Sequence, residues 1–331
     1  MSMDDSSIKR VAVFRALQLG DMLCATPALR ALRGGLPSAE ITLIGLPWAG
    51  QLVDRLPAYL DGFLEFPGWP GLPEQAYDTG AVPRFLQAVQ ARGFDLAIQL
   101  HGNGTLTNTV VALLGATRTA AFCSPGAFVP EPALSVRYPD EGPEICRALH
   151  LIEHLGYPSR GVGLEFPVRT ADRAALDRLR SKRGLPLEDY VCIHPGARDP
   201  ARRWSSQAFA SVGDALAAQG LSVILTGTAA EIATINAVAR DMRRGCLSLG
   251  GLTDLGMLAA LLEGARLLVC SDTGVSHLAA ALGTLSLVVF LSSDPRRWAP
   301  LDANRHRALM ASTHTPLEIA NEAVRLLESC P

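Results

Sequence analysis

LLVCSDTGVSHLAAALGTLSLVVFL, residues Leu267–Leu291, holds one complete unit of the fold. LLVCSD (Leu267–Asp272) is a short apolar run of the kind that forms a strand buried on both faces. The chain then turns through Thr273 and Gly274 and runs as an Ala/Leu-rich helix over His277–Leu282. It returns as a second strand, SLVVFL (Ser286–Leu291). Strand, helix and strand in this order are the crossover unit of a parallel sheet.

The same alternation extends outward. VAVFRA (Val11–Ala16), ITLIGL (Ile41–Leu46) and DLAIQL (Asp95–Leu100) read as strands, and a helix is expected after the loop Leu17–Asp21, running to Arg33. The stretch Phe66–Gly80 is broken by Pro67, Pro70 and Pro73, so it reads as a surface loop. Loops of this kind often carry specificity. Gly156–Pro167 lacks any helical period and is expected to be a linker. Beyond it the pattern restarts with a helix (Ala171–Arg183) and the strands VCIHPG (Val191–Gly196) and SVILTG (Ser222–Gly227). It closes with a helix over Pro316–Ser329 that has a proline start. The fold class is therefore α/β, with two doubly wound Rossmann-like domains, 1–166 and 167–331, facing a central cleft. Ligands belong outside the carboxyl ends of the strands.

The 331 residues suit two domains at roughly 100–200 residues each. A formal charge of −2 leaves no electrostatic footprint for nucleic acid. Arg outnumbers Lys 28 to two, Lys9 and Lys182. Seven dispersed cysteines (Cys24, Cys123, Cys146, Cys192, Cys246, Cys270, Cys330) without a CxxC read as reduced thiols rather than disulfides or a zinc site. The opening MSMDDSSIKR is polar and acidic, unlike a signal peptide. No apolar run reaches the ~18 residues of a membrane span. The expectation is a soluble, cytoplasmic protein with at most peripheral membrane contact.

Four strand ends concentrate polar residues. Gly20-Asp21 follows the first strand. There Asp21 is either a helix N-cap, worth about 1 kcal/mol, or a carboxylate available as a general base. Ser271-Asp272-Thr273-Gly274-Val275-Ser276-His277 aims a helix start outward, a site for phosphate or diphosphate; the alternative is a capped helix with a buried His277. His194-Pro195-Gly196-Ala197 followed by Arg202-Arg203-Trp204 is either an anion clamp or a solvated loop anchored by Trp204. In Thr226-Gly227-Thr228-Ala229-Ala230-Glu231, the glutamate suits a ribose or serves as a first-turn acid. His150-Leu151-Ile152-Glu153-His154 has the H-x-x-E-H spacing of a zinc motif but no evident third ligand. Gly102-Asn103-Gly104 lacks the third glycine of a dinucleotide loop.

The order and spacing of these elements resemble glycosyltransferase family 9, the bacterial heptosyltransferases of the lipopolysaccharide inner core. The resemblance runs nearly end to end. It rests on RALQLGDMLCATPALRALR, DLAIQLHGNGTLTN with LLGATRTAAF, HPGARDPARRWSSQAFA, LTGTAAE, and above all SDTGVSHLAAALGTLSLVVFLSSDPRRWAP. It implies the GT-B fold, with the acceptor on the first domain, the nucleotide-sugar on the second, and the last helix crossing back to the first. Transfer would invert the anomeric centre without an obligatory metal or any cofactor, the donor being an ADP-linked heptose. By the same resemblance Asp21 is the base, and Gly20, His101 and Asn103 face the acceptor, a glycan or glycolipid. Gly196, Ala197, Arg202, Gly227, Glu231, Asp272, Thr273, Gly274 and His277 face the donor. Arg202 would offset the diphosphate charge, with Thr273 and Gly274 offering backbone N–H groups to it.

The chain departs from the family at several places. Leu291-Ser292-Ser293 stands where Gly-Pro-Thr is usual, Arg198 replaces a small hydroxyl, and Arg202 replaces the common Lys. Residues 1–160 carry 12 Lys and Arg against 15 Asp and Glu, with Arg84, Arg92, Arg118 and Arg137 as candidates for a local basic patch. That balance weighs against a heavily phosphorylated acceptor. A nucleotide-sugar epimerase or hydrolase of the same fold, and a non-catalytic sugar-binding protein, are the competing readings.

Overall fold

The structure, a computed structural model, describes residues 7–329. Cys330 and the first six residues of the N-terminal stretch read above lie outside them. The chain divides into two compact units, Met1–Leu164 and Glu165–Pro331, with the division inside the expected linker.

The first unit is a sheet of six parallel strands: β1 (Arg10–Phe14), β2 (Glu40–Gly45), β3 (Gly62–Glu65), β4 (Leu96–Gln99), β5 (Arg118–Cys123) and β6 (Ser135–Arg137), in the order β3-β2-β1-β4-β5-β6. The second unit has β7 (Tyr190–His194), β8 (Ser222–Leu225), β9 (Leu247–Ser248), β10 (Leu267–Ser271), β11 (Ser286–Phe290) and β12 (His306–Met310). Their order, β12-β11-β10-β7-β8-β9, is that of the first sheet counted from β7. Both units are therefore Rossmann-like, and in each the winding reverses between the first and fourth strands. Ligands of doubly wound sheets sit at that reversal, beyond the carboxyl ends of the strands. Here it falls beside Phe14 and Gln99, paired across β1 and β4, and beside His194 and Cys270, paired across β7 and β10.

Central strands are apolar without alternation because helices cover both faces. Val11, Ala12, Val13 and Phe14 are all fully buried, as are Leu267 to Cys270. Phe14, Ile44, Ala97, Val110 and Phe66 form one core of the first unit, with Trp69 and Leu72 of the Pro-rich segment packed against it. That segment has no helix or strand, as its prolines dictate.

The expected first helix is two, Leu19–Cys24 and Thr26–Gly35, separated at Ala25, with Pro27 in the first turn of the second. Proline is tolerated there because it has no N–H to lose. The helix expected from His277 begins at Gly274 and ends at Gly283, whose φ of +70° is the left-handed cap glycine favours. The final helix, Pro316–Ser329, turns an apolar face to the core of the second unit. Ile319, Ala320, Ala323 and Leu326 are buried in the core of the second unit beside Phe209, Val212 and Leu216 of helix Ser206–Ala218.

Candidate functional site

At the first reversal, the chain leaves β1 through Arg15 and enters helix Leu19–Cys24, in which Gly20 is buried and Asp21 is the third residue, half-buried. The N-cap position belongs to Gln18, which makes no side-chain cap, so Asp21 is not the cap. Its carboxylate sits in the first turn, where the helix field favours negative charge. The backbone beneath it is held from outside the helix: Nε and Nη2 of Arg15 donate to the Asp21 carbonyl at 3.0 and 2.7 Å.

The neighbouring loop, after β4, brings His101 to the same place. The ring is 5% exposed, stacks on Phe14 at 5.3 Å, and its Nδ1 accepts from the Ala16 N–H at 3.2 Å. That bond makes Nε2 the protonated nitrogen of the neutral ring, and it faces Glu74 Oε1 at 3.7 Å. Glu74 belongs to the Pro-rich segment, so that loop reaches the site its composition pointed to. Asn103 is exposed and turned into its own loop, accepting from Thr105 N–H and from the Ser124 hydroxyl through its carbonyl. The flanking Gly102 and Gly104 both have positive φ, and a Cβ on Gly104 would lie 2.2 Å from the Phe122 carbonyl. The Gly-Asn-Gly pattern is thus a tight turn.

At the second reversal, Asp272 follows β10 with 2% exposure. Burial pushes its carboxyl above the usual range, against the opposing pull of the Ser293 hydroxyl, which donates to Oδ2, and of Arg202, whose Nη1 lies 3.3 Å from the same oxygen. Arg203 donates instead to the Ala197 carbonyl at 2.8 Å, and Trp204 packs edge-on against Phe209. Thr273 caps helix Gly274–Leu282 in an extended conformation, its carbonyl accepting from the N–H and hydroxyl of Ser276. Gly274 and Val275 have no carbonyl one turn earlier to take their N–H groups, the arrangement that suits an anion.

Glu231 closes the other side of this loop set. Its Oε2 accepts from the N–H and hydroxyl of Thr228, both at 2.8 Å, and lies 3.9 Å from Nε2 of the buried His194. Its carboxylate rests so near Gly196 that a Cβ there would come 2.1 Å from Oε1, and a Cβ on Gly227 would come 3.2 Å from Oε2. Glu231 therefore acts as a first-turn acid and also joins the Gly196 and Gly227 loops. His277 lies on helix Gly274–Leu282. It is 2% exposed, its ring meets Trp298 edge-on at 6.3 Å, and burial together with nearby His306 pushes it down to about 4.

His150 and Glu153 lie on helix Glu144–His154, and among the described residues no three His, Cys, Asp or Glu side chains are grouped to hold a metal ion. Three of the four arginines Arg84, Arg92, Arg118 and Arg137 are paired with carboxylates. Arg92 lies 3.7 Å from Glu40, Arg118 donates to Glu131 at 2.6 Å, and Arg137 pairs with Asp140 at 2.7 Å. Among the described residues no helix is long and apolar enough to cross a membrane. Two partners escaped the sequence reading. Ser293 supplies a hydroxyl where the family places Thr. Arg15 is a charge inside the buried run VAVFRA, and that misplaced charge was the signal available.

Two Rossmann-like units, one carrying a carboxylate at its reversal and the other an anion-suited helix start with a paired arginine, are the domain pair of the GT-B fold. Residues 82–322 match glycosyltransferase family 9 (heptosyltransferase). Lipopolysaccharide heptosyltransferase 3 of Escherichia coli K12 is 26% identical over 300 residues, spanning 86% of this chain and 83% of the relative. Lipopolysaccharide heptosyltransferase 2 of the same organism is 30% identical over 314 residues, 88% and 85% of the two chains. The crystal structure of the glycosyl transferase family 9 from Veillonella parvula DSM 2008 superposes with a TM-score of 0.81 over 97% of each chain at 20% identity. The chain belongs to glycosyltransferase family 9.

Proposed function

We propose that this enzyme is an inverting, metal-independent heptosyltransferase. It moves heptose from an ADP-linked donor to a hydroxyl of a lipopolysaccharide-core or related surface-glycan acceptor, with Asp21 as general base. The observation that carries this reading is the placement of Asp21: a half-buried carboxylate in the first turn after β1, beside the loop bearing His101. The relatives named above supply the sugar and acceptor class.

Asp21 takes the proton of the acceptor hydroxyl as that oxygen bonds to the anomeric carbon. The bond from that carbon to the diphosphate oxygen breaks from the opposite face, and the electron pair leaves with the nucleoside diphosphate. The leaving group gains negative charge, so positive field must be waiting where it departs. Arg202 and the first-turn N–H groups of helix Gly274–Leu282 provide it in this reading. Glu231 faces the ribose, for which a carboxylate accepting from hydroxyls is suited. Gly20, His101 and Asn103 line the acceptor side.

Nucleotide release from ADP-, GDP-, UDP- and CDP-sugars, with and without glycan acceptor, tests the reading. ADP-heptose turnover that requires acceptor and falls about 1,000-fold in Asp21→Asn is the expected result. Release that ignores acceptor would make the enzyme a hydrolase or epimerase, and turnover that survives Asp21→Asn would remove the base.

A further inference from the structure

We propose that Arg15 is the positioning residue of this site: through a buried chain from Glu144 it fixes the backbone from which Asp21 projects. The proposal rests on the reading of Asp21 as general base.

Arg15 is 3% exposed, and an arginine so placed is costly unless its donors are satisfied. Here they are spent on two loops at once. Nε and Nη2 converge on the Asp21 carbonyl, Nη1 donates to the carbonyl of Leu100 at the end of β4, and Nη2 lies 3.4 Å from Glu144 Oε1. Glu144 is itself 5% exposed, opens helix Glu144–His154, and faces Arg147 at 3.9 Å. Arg147, also 5% exposed, donates to the carbonyls of Asp140 and Gly142. One chain of charges thus ties together the loops that follow β1, β4 and β6.

The helix that carries Asp21 needs such a clamp. It has six residues, and its N-cap Gln18 makes no side-chain bond. A helix this short has little stability of its own, because nucleation fixes several residues for one hydrogen bond. The planar guanidinium presents its donors in a rigid fork, so it sets both the position and the tilt of the peptide it holds. That peptide is Asp21's own. A lysine at this position would bring the charge without the fork and could not serve the Asp21 and Leu100 carbonyls together.

The test is a double-mutant cycle on the full-length enzyme, with turnover normalised to the folded fraction from urea unfolding. Arg15→Lys should lower kcat about 100-fold, the scale of a misplacement near 1 Å, with the donor KM nearly unchanged. In the Asp21→Asn background the same change should cost less than about threefold, because the group it positions is gone. Should Arg15→Lys not fold, Glu144→Gln goes through the same cycle and should show the same coupling at about tenfold. Losses that multiply independently in the two backgrounds, or a raised KM at unchanged kcat, overturn the positioning role and leave the base intact. Full activity in Asp21→Asn alone overturns the base and, with it, this proposal.

Discussion

The hydroxyl of Ser293 donates to Oδ2 of Asp272, the oxygen that Arg202 also faces, so a loop that departs from the family pattern still completes the carboxylate's surroundings. Leu291-Ser292-Ser293 replaces Gly-Pro-Thr, and the substitution keeps a hydroxyl at its third position. Asp272 then has three influences on its charge. Burial raises its carboxyl, while Ser293 and Arg202 pull it back.

The direction of a pH effect follows. With the folded value raised, acidification neutralises Asp272 earlier than an ordinary aspartate and releases Arg202 from its partner. This group does not protect the fold at neutral pH: above the unfolded value its buried charge is a cost, and that cost falls as pH drops through the folded value. Ser293→Ala removes one of the two groups that favour the charge, so Asp272 should protonate at a still higher pH. Calorimetric titration with ADP from pH 7 to 4 should show the acid limb of binding moved upward in Ser293→Ala and unmoved in Ser293→Thr. An unmoved limb in the alanine variant would dissociate Asp272 from nucleotide binding.

Gly196 is required by proximity, since its φ lies outside the left-handed region. A Cβ there would fall 2.1 Å from Glu231 Oε1 and 2.2 Å from Cδ. The obstacle is the end of a flexible side chain, so the fold should survive Gly196→Ala while Glu231 swings away. Swinging costs the carboxylate its two bonds from Thr228 and its position between the Gly196 and Gly227 loops. Nucleotide affinity should fall about tenfold, the worth of one hydrogen bond to a charged group, with little change in melting temperature. Equal affinity in the variant would mean that Glu231 is a helix cap and nothing more.

What could be read in the sequence was the central part of each sheet. VAVFRA, DLAIQL, VCIHPG and LLVCSD are mostly apolar without alternation because both their faces are covered, and they carry β1, β4, β7 and β10, which flank the two reversals. The candidate residues at their carboxyl ends could be placed for the same reason. The outer strands were not. β9 is two residues long, β6 is three, and Gly62–Glu65 carries no β-branched residue. The final helix was read correctly in extent, since a proline start and an apolar face are local signals. Ser293 and Arg15 were missed because both act through contacts distant in sequence, 21 residues to Asp272 and 129 to Glu144.

His277 and His306 make the second unit acid-labile. Each is nearly inaccessible, and burial pushes both down to about 4; His277 is lowered further by His306, while Asp302 and Arg305 act in opposite directions on His306. His194 is displaced in the same direction, with Glu231 opposing the effect of burial. A histidine held neutral in the fold and free to charge when unfolded gives the unfolded chain the greater proton uptake between about pH 4 and 6.5. Stability therefore rises with pH across that window and falls as pH drops below about 6.5. His277 and His306 together contribute a steepest slope of about 2–3 kcal/mol per pH unit, to which His194 adds in the same direction. Urea unfolding at pH 7, 6 and 5 measures it, in a Trp48→Phe/Trp69→Phe background where Trp204 and Trp298 report on the second unit alone. His306→Asn should lower the slope by about 1 kcal/mol per pH unit, because the amide can still bond the Ser286 hydroxyl that His306 meets at 2.9 Å but takes up no proton. Stability unchanged between pH 7 and 5 would mean that both rings are already charged, or equally free, in the folded protein.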